Sequence, residues 1–129
     1  MGKLSDELKT YNRTVLDHFE NPRNLGTLAD ASLVVTAENP GCQDIVKFAV
    51  RVRPAGVVSD VRYKIMGCTV AIATASVLSE MMRGKSRSEL ASLTQQDLLS
   101  ALGGLPDHKV RCTGAPLSAL KKILEQIPR

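Results

Sequence analysis

Between residues 5 and 19, apolar side chains return every three or four positions, at Leu8, Tyr11, Val15 and Phe19. That period predicts an amphipathic helix with Ser5 as N-cap, Asp6 and Glu7 in its first turn, and Asn21-Pro22 closing it. The period then drops to two. Residues 33–36 are β-branched and short, and residues 45–53 set Val46, Phe48, Val50 and Val52 against Lys47, Arg51 and Arg53. Residues 57–66 place Val61, Tyr63 and Ile65 on one side, and Pro54-Ala55-Gly56 supplies the turn between the last two runs. These are the marks of a small antiparallel sheet with one solvated face.

From Thr69 the period is helical again, with Val70, Ala73, Val77 and Met81 as an apolar stripe running to Arg83-Gly84. Ser86 and Glu89 stand at capping-box spacing, as do Thr94 and Asp97, so two short helices follow, ending at Gly103-Gly104. Over residues 114–127 the apolar face is Leu117, Leu120, Ile123 or Leu124, and Ile127. Pro116 falls in the first turn, where amide groups lack intrahelical partners. Strands first and helices afterwards predict an α+β fold, a small antiparallel three-stranded sheet packed against several helices. With no repeat, low-complexity tract or linker, residues 1–129 read as one domain.

A chain of 129 residues buries enough apolar surface to fold without a metal staple, so any metal it holds serves function. The net charge of +4 is scattered, and aromatic residues are 3% of the chain with no Trp, which argues against nucleic acid as a partner. A mildly basic surface suits acidic protein partners. The apolar run 65–82 carries Cys68, Thr69, Thr74, Ser76, Ser79 and Glu80, too polar and too short for a membrane span. The opening MGKLSDELK has no apolar stretch of the kind a cleavable signal needs. The three cysteines cannot all pair within the chain, and a reducing, cytoplasmic compartment is expected, where thiols bind metal or handle sulfur.

Each cysteine falls at a junction: Cys42 in the Pro40-Gly41 turn, Cys68 after Gly67 between strand and helix, and Cys112 just ahead of the final helix. A single Cys is more often an inert core residue, but core cysteines sit mid-element rather than at three junctions. Helix starts favour the thiolate, and Lys109 and Arg111 are expected to lower the pKa of Cys112, making it the persulfide acceptor. Three thiolates leave a tetrahedral zinc or a [2Fe–2S] cluster one ligand short. Asp44, two residues after Cys42 and on the same side of an extended chain, is the leading fourth donor, against a turn-stabilising role. His108, four residues before Cys112, is the next, against an ordinary surface histidine. His18 reads as a helix-terminus residue rather than a ligand.

Several ordered motifs resemble the U-type iron–sulfur scaffold family (IscU and the NifU N-terminal domain). They are Tyr11, Asp17-His18-Phe19, Asn21-Pro22-Arg23-Asn24, Gly41-Cys42 with Asp44, Gly67-Cys68 with Ala71-Ile72-Ala73, and Leu102-Gly103-Gly104-Leu105-Pro106 through Lys109 to Cys112. The resemblance covers residues 11–126. It implies that Cys42, Asp44, Cys68 and Cys112 gather at one exposed end; a carboxylate being a harder, more exchangeable iron ligand than a thiolate, Asp44 is expected to keep a bound cluster labile. It further implies assembly of a [2Fe–2S] cluster from iron and cysteine-desulfurase sulfur, and transfer to acceptor proteins by a scaffold rather than an enzyme, often with an Hsp70-type chaperone.

The departures are specific. Gln43 replaces the family's usual Gly, and Thr69-Val70 replaces Gly-Ser, bulkier residues that tighten the site or reduce access to it. Arg111 replaces the His that IscU and NifU place before the third cysteine, which resembles the SufU branch, whose members hold zinc and relay sulfur. The insertion usual in that branch is missing. Leu105-Pro106-Asp107-His108-Lys109 also departs from the usual chaperone-binding stretch.

Overall fold

The computed structural model describes residues 10–39 and 41–127. Helix α1, Arg13–Glu20, starts where the Asn12 side chain accepts a hydrogen bond from the Val15 amide at 2.9 Å. It therefore begins later than the periodicity suggests; Ser5, Asp6, Glu7 and Leu8 lie outside the described residues. Tyr11 precedes the helix and is buried all the same. Asn12 also donates from Nδ2 to the Gly104 carbonyl at 2.9 Å, tying the helix start to a distant turn.

Strands β1 (Leu33–Asn39), β2 (Asp44–Val52) and β3 (Val58–Met66) form one antiparallel sheet in the order β1-β2-β3. The register pairs Val35 with Phe48 and Phe48 with Tyr63, so a row of large side chains crosses the inner face, and the Phe48 and Tyr63 rings lie 5.5 Å apart. β1 runs three residues beyond the β-branched stretch because Ala37, Glu38 and Asn39 pair with Val46, Ile45 and Asp44. Cross-strand pairing outweighs their weak strand propensity. The outer face carries Lys47 and Lys64 opposite each other, with Val34, Ile45 and Met66 exposed around them.

Helix α2, Thr69–Met82, packs against the inner face. The expected single stripe is corrected here: Thr74, Ser76 and Ser79 are buried along with Val70, Ala73, Val77 and Leu78, and Met82 rather than Met81 closes the packing. A helix buried on most of its surface is a central element, not an amphipathic cover. Its hydroxyls find partners nearby: Thr74 Oγ1 donates to the Val70 carbonyl at 2.7 Å and Ser79 Oγ to the Ser76 carbonyl at 2.6 Å.

Helices α3 (Arg87–Ala91) and α4 (Gln95–Ala101) both carry the predicted capping boxes, Ser86 with Glu89 and Thr94 with Asp97. A 3-10 segment, Asp107–Thr113, leads into α5, Gly114–Gln126. The buried face of α5 consists of Ala115, Pro116, Ala119, Leu120 and Ile123; Leu117 is only half-buried, a shift of the predicted face. No helix among the described residues is long and apolar enough to cross a membrane.

Candidate metal centre

Three junctions meet at one end of the sheet. Cys42 lies in the turn after β1, where its amide donates to the Asn39 carbonyl at 3.0 Å. Asp44 is the first residue of β2, and Cys68 is the N-cap of α2, its sulfur facing the Ala71 amide at 3.5 Å. Cys112 is the next-to-last residue of the 3-10 segment. All three cysteines are free thiols.

The Cys42 and Cys112 sulfurs are 3.6 Å apart. Two thiolates at about 2.3 Å from one tetrahedral metal stand roughly 3.8 Å apart, so this pair already has the spacing of a ligand edge. Asp44 Oδ2 is 3.8 Å from the Cys68 sulfur, while Oδ1 accepts from the Cys68 amide at 3.0 Å. An oxygen and a sulfur on one tetrahedral metal are separated by about 3.6 Å, which fits this second pair as well. Among the described residues, no three His, Cys, Asp or Glu side chains are drawn in around a common point. The four residues are therefore neighbours with the right edges, and the Cys68 amide holds the Asp44 carboxylate.

The sequence argument for Asp44 needs correcting in its geometry. Cys42 and Asp44 do not face one way through strand alternation, because Gln43 between them adopts φ 56, in the left-handed region, within a turn. A glycine is favoured at such a φ, and the glutamine there carries strain.

The expected lowering of the Cys112 pKa is overturned. Cys112 is 4% exposed, and burial together with the neighbouring Cys42 and Cys68 sulfurs pushes its thiol up to about 12. Lys109 and Arg111 do not reverse this: desolvation of the thiolate is the largest effect, and Arg111 stands in solvent. Tyr11 chiefly holds the Lys109 ammonium up, against some desolvation, with Cys112 and Cys68 contributing less. The helix-start environment belongs instead to Cys68.

His108 sits exposed on the 3-10 segment. The Arg111 side chain points to solvent and makes no ion pair with Asp44 among the described residues; its carbonyl is held by Asn39. His18, in the last turn of α1, is buried with Nδ1 2.7 Å from Ser76 Oγ, which also accepts from the Arg23 amide at 2.9 Å. Its Nε2 faces Glu80 at 3.7 Å, and burial lowers its pKa. Ser76 is eight residues along α2 from Cys68, about 12 Å, so His18 braces two helices and is no ligand.

The NifU-like N-terminal domain model matches residues 10–128. The chain belongs to the NifU-like N-terminal domain family. Within this family it is similar to the iron–sulfur cluster assembly scaffold protein IscU of Aquifex aeolicus. They are 47% identical over 111 residues, 85% of this chain and 71% of that protein. It is similar also to IscU of Escherichia coli K12, 35% identical over 116 residues, 86% of this chain and 88% of that one. A solved NifU-like N-terminal structure from Brucella abortus superposes with a TM-score of 0.71 at 22% identity, covering 91% of this chain and 96% of that chain, which supports the NifU-like fold.

One residue that sequence reasoning missed matters here, Asn39, which reads in the sequence only as the end of a weak strand. Gly67 stands out there as the residue before Cys68, but not for what it touches. Only the folded arrangement reveals what each touches.

Proposed function

We propose that this chain is a scaffold on which a [2Fe–2S] cluster is built as cargo, from iron and sulfur supplied by a cysteine desulfurase, and then passed to acceptor proteins. The observation that carries the reading is the meeting of Cys42, Asp44, Cys68 and Cys112 as two ligand-spaced pairs at the end of the sheet. Each iron of such a cluster needs two protein ligands beside its bridging sulfides. A carboxylate is a harder, more exchangeable iron ligand than a thiolate, so Asp44 keeps the cargo transferable. The names of the Aquifex aeolicus and Escherichia coli relatives support the same reading.

Sulfur delivery to Cys112 is part of the proposal. Its thiolate attacks the outer sulfur of a desulfurase cysteine persulfide, forming a persulfide on Cys112 and releasing the desulfurase thiolate. Because Cys112 is buried with a raised pKa, the step requires the 3-10 segment to open when the desulfurase docks. The protein is a carrier rather than an enzyme, one unit over its whole length, working in the cytoplasm where free thiols persist. An Hsp70-type chaperone is an optional partner in this scheme.

A second reading, a zinc-bound sulfur relay, is favoured by Arg111, which stands where IscU and NifU have His and in that resembles the SufU branch; being permanently charged, it cannot ligate a metal. Three cysteines and Asp44, or His108 in its place, complete a tetrahedral zinc site equally well. Anaerobic isolation with metal and sulfide analysis separates the two. Iron and sulfide in equal amounts support the scaffold, and stoichiometric zinc without sulfide supports the relay. For the scaffold, Asp44→Ala should lengthen the lifetime of a reconstituted cluster; a shorter lifetime would remove Asp44 from that role.

A further inference from the structure

The chain segments carrying Cys42 and Cys112 are 70 residues apart in sequence, and one side chain joins them. Asn39 accepts the Cys42 amide at its backbone carbonyl, 3.0 Å, closing the turn in which Cys42 sits. Its side-chain Nδ2 donates to the carbonyl of Arg111, the residue before Cys112, at 2.8 Å. That same carbonyl accepts the Gly114 amide at the end of the 3-10 segment. Asn39 is also the cross-strand partner of Asp44.

The surroundings are shaped for this contact. A Cβ added at Gly114 would lie 2.7 Å from Asn39 Nδ2, closer than real Cβ atoms come, and 3.2 Å from its Cγ, so the asparagine amide would have to move. Gly114 has an ordinary helical φ of −62, so no backbone demand explains the glycine; what it provides is room for the asparagine amide. The 3-10 segment has no side-chain cap at its start; Gln95 holds its last residue through Thr113 Oγ1 at 3.0 Å, and Asn39 holds it at Arg111, next to Cys112.

We propose that Asn39 is a positioning residue, fixing the Cys42 and Cys112 sulfurs at ligand spacing by clamping the Arg111 carbonyl, with Gly114 kept small to admit it. The hydrogen bonds of Asn39 go to backbone groups beside the two cysteines, the Cys42 amide and the Arg111 carbonyl. It acts by limiting how far the Cys112 segment drifts from the Cys42 turn. The inference takes from the proposed function only that these thiols are ligands. It holds whether the cargo is a cluster or zinc.

The test is Co²⁺ binding to the full chain, read by thiolate-to-cobalt charge-transfer absorption, for wild type, Asn39→Ala, Asn39→Asp, Gly114→Ala and the Asn39→Ala/Gly114→Ala pair. Removing a group that orients a ligand weakens metal affinity by about tenfold or more. Both Asn39 variants should show that loss while the metal-free melting temperature changes little, and Asn39→Asp should be no better than Ala, because a carboxylate cannot donate to the carbonyl. Gly114→Ala alone should weaken Co²⁺ similarly. In the Asn39→Ala background it should cost nothing further, since the clash has gone.

The second readout is the Cys42–Cys112 disulfide, mapped by mass spectrometry in glutathione buffers, where two protein thiols and one glutathione disulfide give the protein disulfide and two glutathione. Its population should fall several-fold in Asn39→Ala if the clamp sets the sulfur spacing, as roughly expected for lost preorganisation. Unchanged cobalt affinity and disulfide population in both Asn39 variants would overturn the assignment. So would losses in Asn39→Ala and Gly114→Ala that simply add. If wild type binds no cobalt, the ligand reading fails, and the disulfide populations alone then support or overturn the clamp.

Discussion

Gly67 and Asp44 are fitted to each other so closely that a Cβ on Gly67 would stand 2.8 Å from Asp44 Oδ1. The same atom would meet Ala71 Cβ at 3.1 Å, so the carboxylate is the softer neighbour and the one to move. Gly67→Ala should displace Asp44 from the Cys68 amide and destabilise the fold by about 1–2 kcal/mol, the range for a lost buried hydrogen bond. Metal affinity should fall with it. Denaturant titration and a metal competition assay measure the two effects. In an Asp44→Ala background the added methyl should cost much less, and an undiminished cost there would show that the clash lies elsewhere.

Thiol reactivity should follow burial rather than nearby positive charge. Cys42 and Cys68 are half-buried, whereas Cys112 is enclosed, and burial with its neighbouring sulfurs pushes its thiol up to about 12. In the metal-free protein, iodoacetamide should label Cys42 and Cys68 before Cys112, and peptide mapping over a time course gives the order. Adding the desulfurase should speed labelling at Cys112. Fastest labelling at Cys112 in the isolated chain would contradict the closed position of the 3-10 segment.

The brace between α1 and α2 should make stability depend on pH. Burial lowers the His18 pKa in the folded chain below its ordinary 6.5, with Glu80 and Asp17 opposing the shift. As pH falls through that range the unfolded chain takes up the proton first, so folded stability declines; above it the contribution is fully present. The carboxylates with lowered pKa, Asp17 and Glu89, lose their contribution only at lower pH, as pH falls through their folded values. Denaturation midpoints compared at about pH 5 and 7.5 should therefore differ, and His18→Gln should flatten that difference while lowering the midpoint at both. An unaltered pH slope in His18→Gln would remove His18 from the explanation.

Gln43 stands at φ 56 between two site residues, where a side chain costs about 1 kcal/mol that glycine avoids. The flexibility of glycine in the unfolded chain offsets part of this. Gln43→Gly should raise stability slightly, by about 1 kcal/mol or less, with the metal-binding spectrum unchanged. A lowered denaturation midpoint would mean that the Gln43 side chain makes a contribution of its own.

The sheet was legible because Val46, Phe48, Val50 and Val52 alternate with Lys47, Ala49 and Arg51, the inner face meeting the core and the outer face water. The capping boxes were legible because their hydrogen bonds are local, needing only Ser86 and Glu89, or Thr94 and Asp97, three residues apart. The burial of α2 was not. Thr74, Ser76 and Ser79 look like a solvated side until one sees their hydroxyls satisfied by the helix's own carbonyls and by His18. The cysteines and Asp44 could be named from their junctions, but the surroundings of Cys112 depend on sulfurs brought from two other segments. No pattern along one segment encodes that proximity, and reasoning from Lys109 and Arg111 alone gave the wrong direction for its pKa.

Asp44 opens β2, Cys68 begins α2, and Cys112 stands just before α5, so whatever binds these residues ties the ends of three elements together. Without it, those ends are joined by the Cys68 amide on Asp44 and the Asn39 side chain on the Arg111 carbonyl, with the core behind them. If the cargo binds there as proposed, loading and folding are thermodynamically linked, and the stabilisation grows with the logarithm of cargo concentration over its dissociation constant. The linkage runs in both directions. On the proposed function, a chain that gives up its cargo should become easier to open at this end, so that release and re-entry of the next load share one structural event. The balance between holding and giving can thus be tuned by mutations in the core, far from any sulfur atom.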